Sequence, residues 1–134
     1  MARALAIDFG LKRCGIAVSD DMKMIASGLT TVDAKDLMEF LNGYFLKEQV
    51  DEIIIGLPKH KDGQVNAIEK NIQFLIKDLA SKFPDKTLKR VDERFTSKMA
   101  FQSMIDSGIG QKKRRDKKLV DEISATIILQ SYLY

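Results

Sequence analysis

Three groups of acidic residues lie at the ends of apolar segments, where they could do chemistry together. Asp8 ends the first strand pattern, Asp92 and Glu93 end the last one, and Asp121 and Glu122 lie near the start of a C-terminal helical pattern. Parallel strands of an open sheet end at one edge, which is where such sheets place their sites. A single acid at such a position is more often a cap or a surface charge. Because all three groups lie at the ends of suitable elements, we expect them to meet.

Carboxylates that converge need a counter-charge. A pair about 4 Å apart repels by roughly 4 kcal/mol at an effective dielectric of about 20. Either some become protonated or a divalent cation neutralises them. The chain has one histidine and one cysteine, so the ligands would be oxygens, which favour Mg²⁺ or Mn²⁺. Two such ions about 4 Å apart can activate a water for phosphodiester hydrolysis, and we therefore expect a nuclease site.

The elements that must position these acids follow the order βββ-α-β-α-β-α-α. Residues 3–9, 13–19 and 24–32 have the patterns of three sequential strands, which indicates an antiparallel meander. A helical pattern precedes the strand pattern at 53–57, and a second one separates it from the strand pattern at 87–92. Two more helical patterns follow. This order predicts an α/β protein with the RNase H-like fold. In that fold a five-stranded mixed sheet has its last two strands parallel to the first, and helices flank both faces.

Small residues predict how Asp121 reaches Asp8. By the two-residue alternation of a strand, Asp8 shares a face with Ala4 and Ala6. Ala125 follows Asp121 by one helical turn, so the final helix could lie close to that face.

Helix starts are predicted from local signals. Asp33 is expected to be the N-cap of the first helix, and Asn66 with Glu69 resembles a capping box for the second.

Basic residues are concentrated beside the last acidic group. The net charge is only +3, but basic residues are clustered in one short run, which consists of Lys112, Lys113, Arg114, Arg115, Lys117 and Lys118. Such a run is expected to follow a nucleic-acid backbone with salt-sensitive, sequence-independent binding, although a solvated loop is the alternative. Lys12, Arg13 and Arg94 are expected to hold phosphates near the acids, with ion pairing to those acids as the alternative.

Composition excludes several classes of protein. The apolar fraction of 45% and charged fraction of 31% are typical of a globular protein, and the length suits one domain over residues 1–134. No apolar run suggests a membrane span or a secretory signal, so we expect a cytoplasmic protein without a membrane partner. The lone Cys14 excludes an internal disulfide. The lone His60 is expected to be an exposed loop residue rather than a proton carrier.

Four blocks of the sequence resemble one family from end to end. They are AIDFGLKRCGIAVSD at 6–20, GLPKHKDG at 56–63, DERFTS at 92–97 and DKKLVDEISATIILQSYL at 116–133. In this order and spacing the chain resembles the YqgF/RuvX family, described both as pre-16S rRNA nucleases and as RuvC-like Holliday junction resolvases. The resemblance implies that Asp8, Glu93 and Asp121 are the catalytic acids and metal ligands. Since neighbouring strand residues point to opposite faces, either Asp92 or Glu93 would face the metal. Glu93 is favoured, with Asp92 in a structural or supporting role.

The resemblance implies a metal-dependent endonuclease that hydrolyses phosphodiester bonds at the 5′ end of pre-16S rRNA during ribosome biogenesis. The partner would then be structured RNA, with ribosome association, and the protein a monomer or weak homodimer. A resolvase acting on four-way DNA is the alternative, and it would need a dimer to cut two strands. A nucleic-acid- or ribosome-binding factor without catalysis is a further alternative. A sugar-kinase or actin-like ATPase lobe is disfavoured, because such enzymes need two lobes.

Overall fold

The computed structural model describes residues 2–58, 67–92 and 117–134, with the backbone alone for 117 and 118. The strands are β1 (Arg3–Asp8), β2 (Arg13–Ser19), β3 (Ala26–Asp33), β4 (Val50–Leu57) and β5 (Thr87–Asp92). The helices are α1 (Leu37–Lys47), α2 (Glu69–Lys82) and α3 (Lys117–Leu133), and a 3-10 turn over Ala34–Asp36 precedes α1. No helix in these ranges is long and apolar enough to cross a membrane.

The five strands form one mixed sheet in the order β3-β2-β1-β4-β5. β1 pairs antiparallel with β2, and β2 antiparallel with β3. β4 pairs parallel with β1 on one side and with β5 on the other. This arrangement confirms the predicted meander followed by parallel strands, and the more polar strands β3 and β5 lie at the edges. The helix predicted between β5 and α3 lies outside the described residues.

Alternation along the central strands divides the core between the two faces of the sheet. One face packs against α1 and α2 through buried side chains that include Leu5, Ile7, Ile16, Ile53, Leu41 and Leu79. The other face packs against α3 and is lined by Ala4, Ala6, Ala17 and Ile54, which meet Ala125, Ile128 and Leu129. The helices therefore cover both faces, as predicted. The alanines of the second face let α3 lie close to β1, because little side-chain volume separates the two backbones.

The start of α1 differs from the prediction. Asp33 makes no side-chain capping hydrogen bond, and α1 begins three residues later than a cap at Asp33 requires, after Asp36. The reason is a contact with an earlier part of the chain. The backbone N of Ala34 donates to the carbonyl O of Lys12 over 2.9 Å, so the chain stays paired with the residue before β2 and then passes through the 3-10 turn before the helix starts.

The start of α2 differs from the predicted capping box, because the helix begins at Glu69 with Ile68 as its N-cap. Asn66, the other predicted member, lies outside the described ranges. The carboxylate of Glu69 accepts hydrogen bonds from Arg90 and Gln73. Glu69 therefore connects α2 to β5.

Asp20, the acid that follows β2, has a structural role. Its Oδ1 accepts hydrogen bonds from the backbone N atoms of Met24 (2.7 Å) and Ile25 (2.8 Å). These bonds close the β2–β3 turn, where Lys23 adopts a positive φ of 56°. The bond from Ile25 is the main reason why the pKa of Asp20 is lowered. Because β2 runs antiparallel to β1, this turn lies at the opposite end of the sheet from Asp8.

Candidate active site

Asp8 is delivered to the edge of the sheet by a buried strand. Residues 4–7 of β1 are fully buried, whereas Asp8 at the end of the strand is partly exposed. Asp8 shares its face with Ala4 and Ala6, the face that packs against α3. In the antiparallel pairing with β2, the residue directly opposite Asp8 is Gly15.

Gly15 brings Asp121 to the same place. A Cβ atom built on Gly15 would lie 1.9 Å from the carbonyl O of Asp121 and 2.3 Å from its carbonyl C. The backbone of α3 therefore rests directly on Gly15, at a distance that no other residue type would permit. Since Gly15 is the register partner of Asp8, Asp121 lies over the position next to Asp8. The structure thus brings these two predicted acids together.

The side chain of Arg13, two residues before Gly15, also contacts Asp121. The Nε atom of Arg13 donates to Oδ2 of Asp121 over 3.0 Å, and both side chains are about one-quarter exposed, at 26% and 27%. Of the two expectations for Arg13, phosphate binding and ion pairing with an acid, the structure shows the ion pair. Lys12, the preceding cation, is exposed.

The pKa of the Cys14 thiol is affected by the acids of the site. Burial raises the pKa of its thiol to about 11, and the negative charges of Asp8 and Asp121 both add to the increase. The Sγ atom donates a weak hydrogen bond to the carbonyl O of Gly10, over 3.9 Å. The thiol is therefore protonated at neutral pH, and Cys14 packs in the core on the α1 and α2 face of the sheet, opposite to the face of Asp8.

Asp92 lies on the other face of the sheet. Val91 packs in the cluster under α3, whereas the preceding Arg90 bonds to Glu69 of α2. Alternation therefore puts Asp92 on the face of Arg90, opposite to the face of Asp8. Asp92 therefore does not lie beside Asp8.

Glu122 is also separate from Asp8. Its side chain lies over Gly28 of β3, where a Cβ would come within 2.6 Å of Oε1. Gly28 pairs with Ala17 near the middle of β2, so the carboxylate of Glu122 points toward the β3 edge of the sheet. Of the two acids near the start of α3, only Asp121 lies beside Asp8.

The donor set fits a hard divalent cation as far as the structure describes it. Asp8 and Asp121 bring two carboxylates together, and the chemistry of carboxylate oxygens suits Mg²⁺ or Mn²⁺. Within residues 2–58, 67–92 and 117–134, no group of three or more His, Cys, Asp or Glu side chains is arranged to hold a metal ion. The third predicted ligand, Glu93, lies outside these ranges.

His60 and several of the predicted site residues also lie outside the described part of the chain. They are His60, Arg94, Lys112, Lys113, Arg114 and Arg115. Lys117 and Lys118 are the first residues of α3. Because Asp121 follows Lys117 by about one helical turn, the C-terminal end of the basic run begins the helix that carries the acid.

Two features of the site were missed by sequence reasoning. The first is the contact of Gly15 with Asp121, for which a glycine inside an apolar strand was the available signal. The second is Arg90, which lies on the opposite face of the sheet from Asp8 and joins β5 to α2 and β4. Its guanidinium donates to both carboxylate oxygens of Glu69 (2.7 and 2.8 Å) and to the carbonyl oxygens of Ile55 (3.2 Å) and Gly56 (2.9 Å). No local signal marks that contact.

Comparison with known families identifies the group to which this chain belongs. The model of the RuvX family, described as Holliday junction resolvase, matches residues 2–134. The chain belongs to the RuvX family. This confirms the resemblance seen in the four sequence blocks, and the match spans β1, α3 and everything between them.

Two similar proteins agree with this assignment, and one solved structure shares the fold. A protein of Christiangramia forsetii named "Putative pre-16S rRNA nuclease" is 58% identical over 134 residues, covering 100% of this chain and 99% of the relative. A protein of Flavobacterium psychrophilum with the same name is 53% identical over 133 residues, covering 99% and 97%. The resolvase of Fowlpox virus, solved with Holliday junction DNA, superimposes with a TM-score of 0.60 at 15% identity, covering 98% of this chain and 96% of that one. The last likeness shows the fold, and it confirms the predicted RNase H-like architecture.

Proposed function

We propose that residues 1–134 form one cytoplasmic, metal-dependent endonuclease domain that hydrolyses phosphodiester bonds in the precursor of 16S rRNA. The observation that carries this proposal is the convergence of Asp8 and Asp121 in a chain of the RuvX family. The support for it is that Asp8 ends a buried strand paired with Gly15, and that the backbone of Asp121 packs on the same Gly15. Arg13 offsets part of the repulsion in this acid pair, and a divalent cation would offset the rest.

Asp8, Glu93 and Asp121 are the proposed ligands of the cation and the catalytic acids. Glu93 is proposed in preference to Asp92, because Asp92 lies on the α2 face of the sheet, away from Asp8. When bound, Mg²⁺ or Mn²⁺, as a pair of ions, would supply the charge that activates a water and stabilises the leaving oxygen. The protein supplies fixed oxygen donors on a rigid sheet edge. The expected products carry 5′-phosphate and 3′-hydroxyl ends.

Cations of the chain would hold the nucleic acid. Lys12 is exposed at the rim of the site, and the basic run from Lys112 to Lys118 leads directly into α3. Together with Arg13 and Arg94, these residues would neutralise phosphates on either side of the scissile bond. Contacts of this kind hold and orient the backbone but do not read its sequence. The cleavage position would therefore depend on RNA structure or on association with the ribosome.

The RNA substrate is proposed from the names of the relatives. The test is cleavage of a 5′-extended 16S rRNA precursor with Mg²⁺ or Mn²⁺, followed by mapping of the 5′ ends. We expect cleavage on the 5′ side of the mature 16S sequence, by a monomer or weak homodimer. Binding of the precursor without cleavage in either ion would contradict the proposed activity and favour a non-catalytic binding factor.

A second candidate substrate is a four-way DNA junction, because the family model is described as Holliday junction resolvase. The same two carboxylates would serve either polymer, since the reaction at phosphorus is the same. Resolution requires two cuts on opposite strands, so the active species would be a dimer. Paired symmetric incisions in a four-way junction, with the precursor RNA left intact, would favour this candidate.

A further inference from the structure

Arg13 binds one oxygen of Asp121 and leaves the rest of that carboxylate to other partners. Nε of Arg13 donates to Oδ2 over 3.0 Å. An ionised carboxylate has two oxygens and about four lone-pair sites, so one bond to Oδ2 fixes its orientation without exhausting its capacity. Hydrogen bonds of this kind to a metal-binding carboxylate orient it toward the ion.

The backbone that carries Arg13 is firmly held. Arg13 is the first residue of β2 and pairs with Asp33 of β3. The carbonyl O of the preceding residue, Lys12, accepts a hydrogen bond from the backbone N of Ala34 over 2.9 Å. Gly15, two residues further along β2, supports the backbone of Asp121. Strand β2 therefore fixes Asp121 twice, once through its main chain and once through its side chain.

The guanidinium of Arg13 has more N–H donors than its bond to Asp121 uses. Its only side-chain hydrogen bond to a described residue is made by Nε, and a guanidinium carries five N–H donors in a planar fork. The two terminal nitrogens can therefore bind an anion such as a phosphate while Nε holds Asp121. Lysine could supply the charge but not this planar geometry.

We infer that Arg13 is a positioning residue that orients the carboxylate of Asp121 for the divalent cation. This inference rests on the proposed function and adds to it a role for Arg13 beyond phosphate contact. The positive charge of Arg13 repels a nearby cation and so weakens its binding, whereas the hydrogen bond of Arg13 orients the carboxylate of Asp121. A substitution that keeps the charge and removes the planar fork, Arg13→Lys, separates the two effects.

The experiment measures Mn²⁺ affinity of the protein without nucleic acid, by calorimetry or by the EPR signal of free Mn²⁺. We expect Arg13→Lys to weaken Mn²⁺ binding about 10- to 100-fold, the usual cost of removing a partner of a metal ligand. The matched control is Lys12→Gln, a change in the preceding, exposed cation. It should leave Mn²⁺ affinity within about twofold while weakening nucleic-acid binding measured without divalent ions.

The outcomes separate the roles of Arg13. If Arg13→Lys binds Mn²⁺ as tightly as wild type and only loses nucleic-acid affinity, Arg13 is a phosphate contact and the inference is wrong. If its melting temperature falls while Mn²⁺ affinity is unchanged well below that temperature, the role is structural and the inference is again wrong. Wild-type protein that binds Mn²⁺ but cleaves no nucleic acid would contradict the proposed function, while the Mn²⁺ affinities would still test Arg13. Wild-type protein that binds no Mn²⁺ would contradict both.

Discussion

The backbone of Asp121 lies directly on Gly15, so closely that a Cβ at residue 15 would come within 1.9 Å of the carbonyl O of Asp121. Because Gly15 is paired with Asp8 in the sheet, this contact sets the distance between the two acids. The absence of one side chain on β2 is thus a condition for the proposed metal site.

Gly15→Ala should displace α3 and separate Asp121 from Asp8. The added methyl group meets backbone atoms, which cannot move aside without moving the helix, so we expect a loss of about 3 kcal/mol or more in the free energy of unfolding. Cleavage should fall more steeply than stability, because the carboxylate moves with the helix. Chemical denaturation and cleavage assays on the same preparations would check this.

Gly28→Ala is the matched control for that substitution. It adds the same methyl group under the same helix, but the atom that it meets first is Oε1 of Glu122, at the end of a flexible side chain. We expect a smaller loss of stability and near-normal cleavage. Equal losses of activity in the two variants would contradict the special role of the Gly15 contact.

Glu69→Gln should destabilise the protein in a pH-dependent way. The hydrogen bonds from Arg90 lower the pKa of the Glu69 carboxyl, so the charged form is stabilised by folding. That stabilisation is present above the carboxyl pKa of the unfolded chain and is lost as the pH falls through the lower pKa of the folded state. At pH 7 we expect the free energy of unfolding to fall by about 2 kcal/mol. This difference from wild type should become smaller as the pH is lowered.

Glu39→Gln supplies the comparison for Glu69. Glu39 also lies in the first turn of its helix, but it is exposed and has no ion pair within the described residues. Unfolding curves measured from pH 3 to pH 7 should show little change for this variant. A Glu69→Gln deficit that stayed constant down to pH 3 would rule out the ion pair as its cause.

Cys14 should make folding less favourable in alkali. Burial raises the pKa of its thiol from 9.0 to about 11. In the unfolded chain the thiol loses its proton near pH 9, while the folded protein keeps it until about pH 11. The stabilisation is therefore complete below pH 9 and is lost between pH 9 and pH 11, by up to about 1.4 kcal/mol per pH unit. The difference between wild type and Cys14→Ala isolates this effect, and a difference that stays flat across that range would contradict it.

Neutralising the basic run should weaken nucleic-acid binding without changing its sequence preference. Lys112→Gln, Lys113→Gln, Arg114→Gln and Arg115→Gln together should reduce the slope of log affinity against log salt concentration. Each lost phosphate contact removes about 0.9 from the slope for duplex DNA and about 0.7 for a single strand. Fluorescence titrations at several salt concentrations would measure it. An unchanged slope would show that the run is only a solvated loop.

Much of the fold could be predicted from the sequence, because period-two and helical patterns are local. The pattern at 53–57 predicted a strand, and Ile53, Ile54 and Ile55 in it are fully buried. Ala125 indicated a close approach of the last helix. The start of α1 was predicted wrongly, since pairing of Ala34 with Lys12 extends the strand region before the turn. That contact joins distant parts of the chain and leaves no local mark.

The candidate site was predicted less completely, for the same reason. Asp8 and Asp121 could be proposed from element ends and small residues. The bond between Arg13 and Asp121 joins residues separated by 108 positions, and the clamp formed by Arg90 depends on carbonyl groups of a neighbouring strand. Tertiary packing determines which of two possible partners an arginine binds.

The most direct test of the account is metal-dependent cleavage by wild type, Asp8→Asn, Asp121→Asn and Glu122→Gln under identical conditions. The third variant alters the acid next to Asp121, whose side chain lies over β3 instead of beside Asp8. We predict that Asp8→Asn and Asp121→Asn each reduce the cleavage rate about 100-fold or more, or about 2.7 kcal/mol, at unchanged nucleic-acid affinity. Glu122→Gln should stay within about twofold of wild type. Cleavage by Asp8→Asn and Asp121→Asn at the wild-type rate would contradict the proposed site.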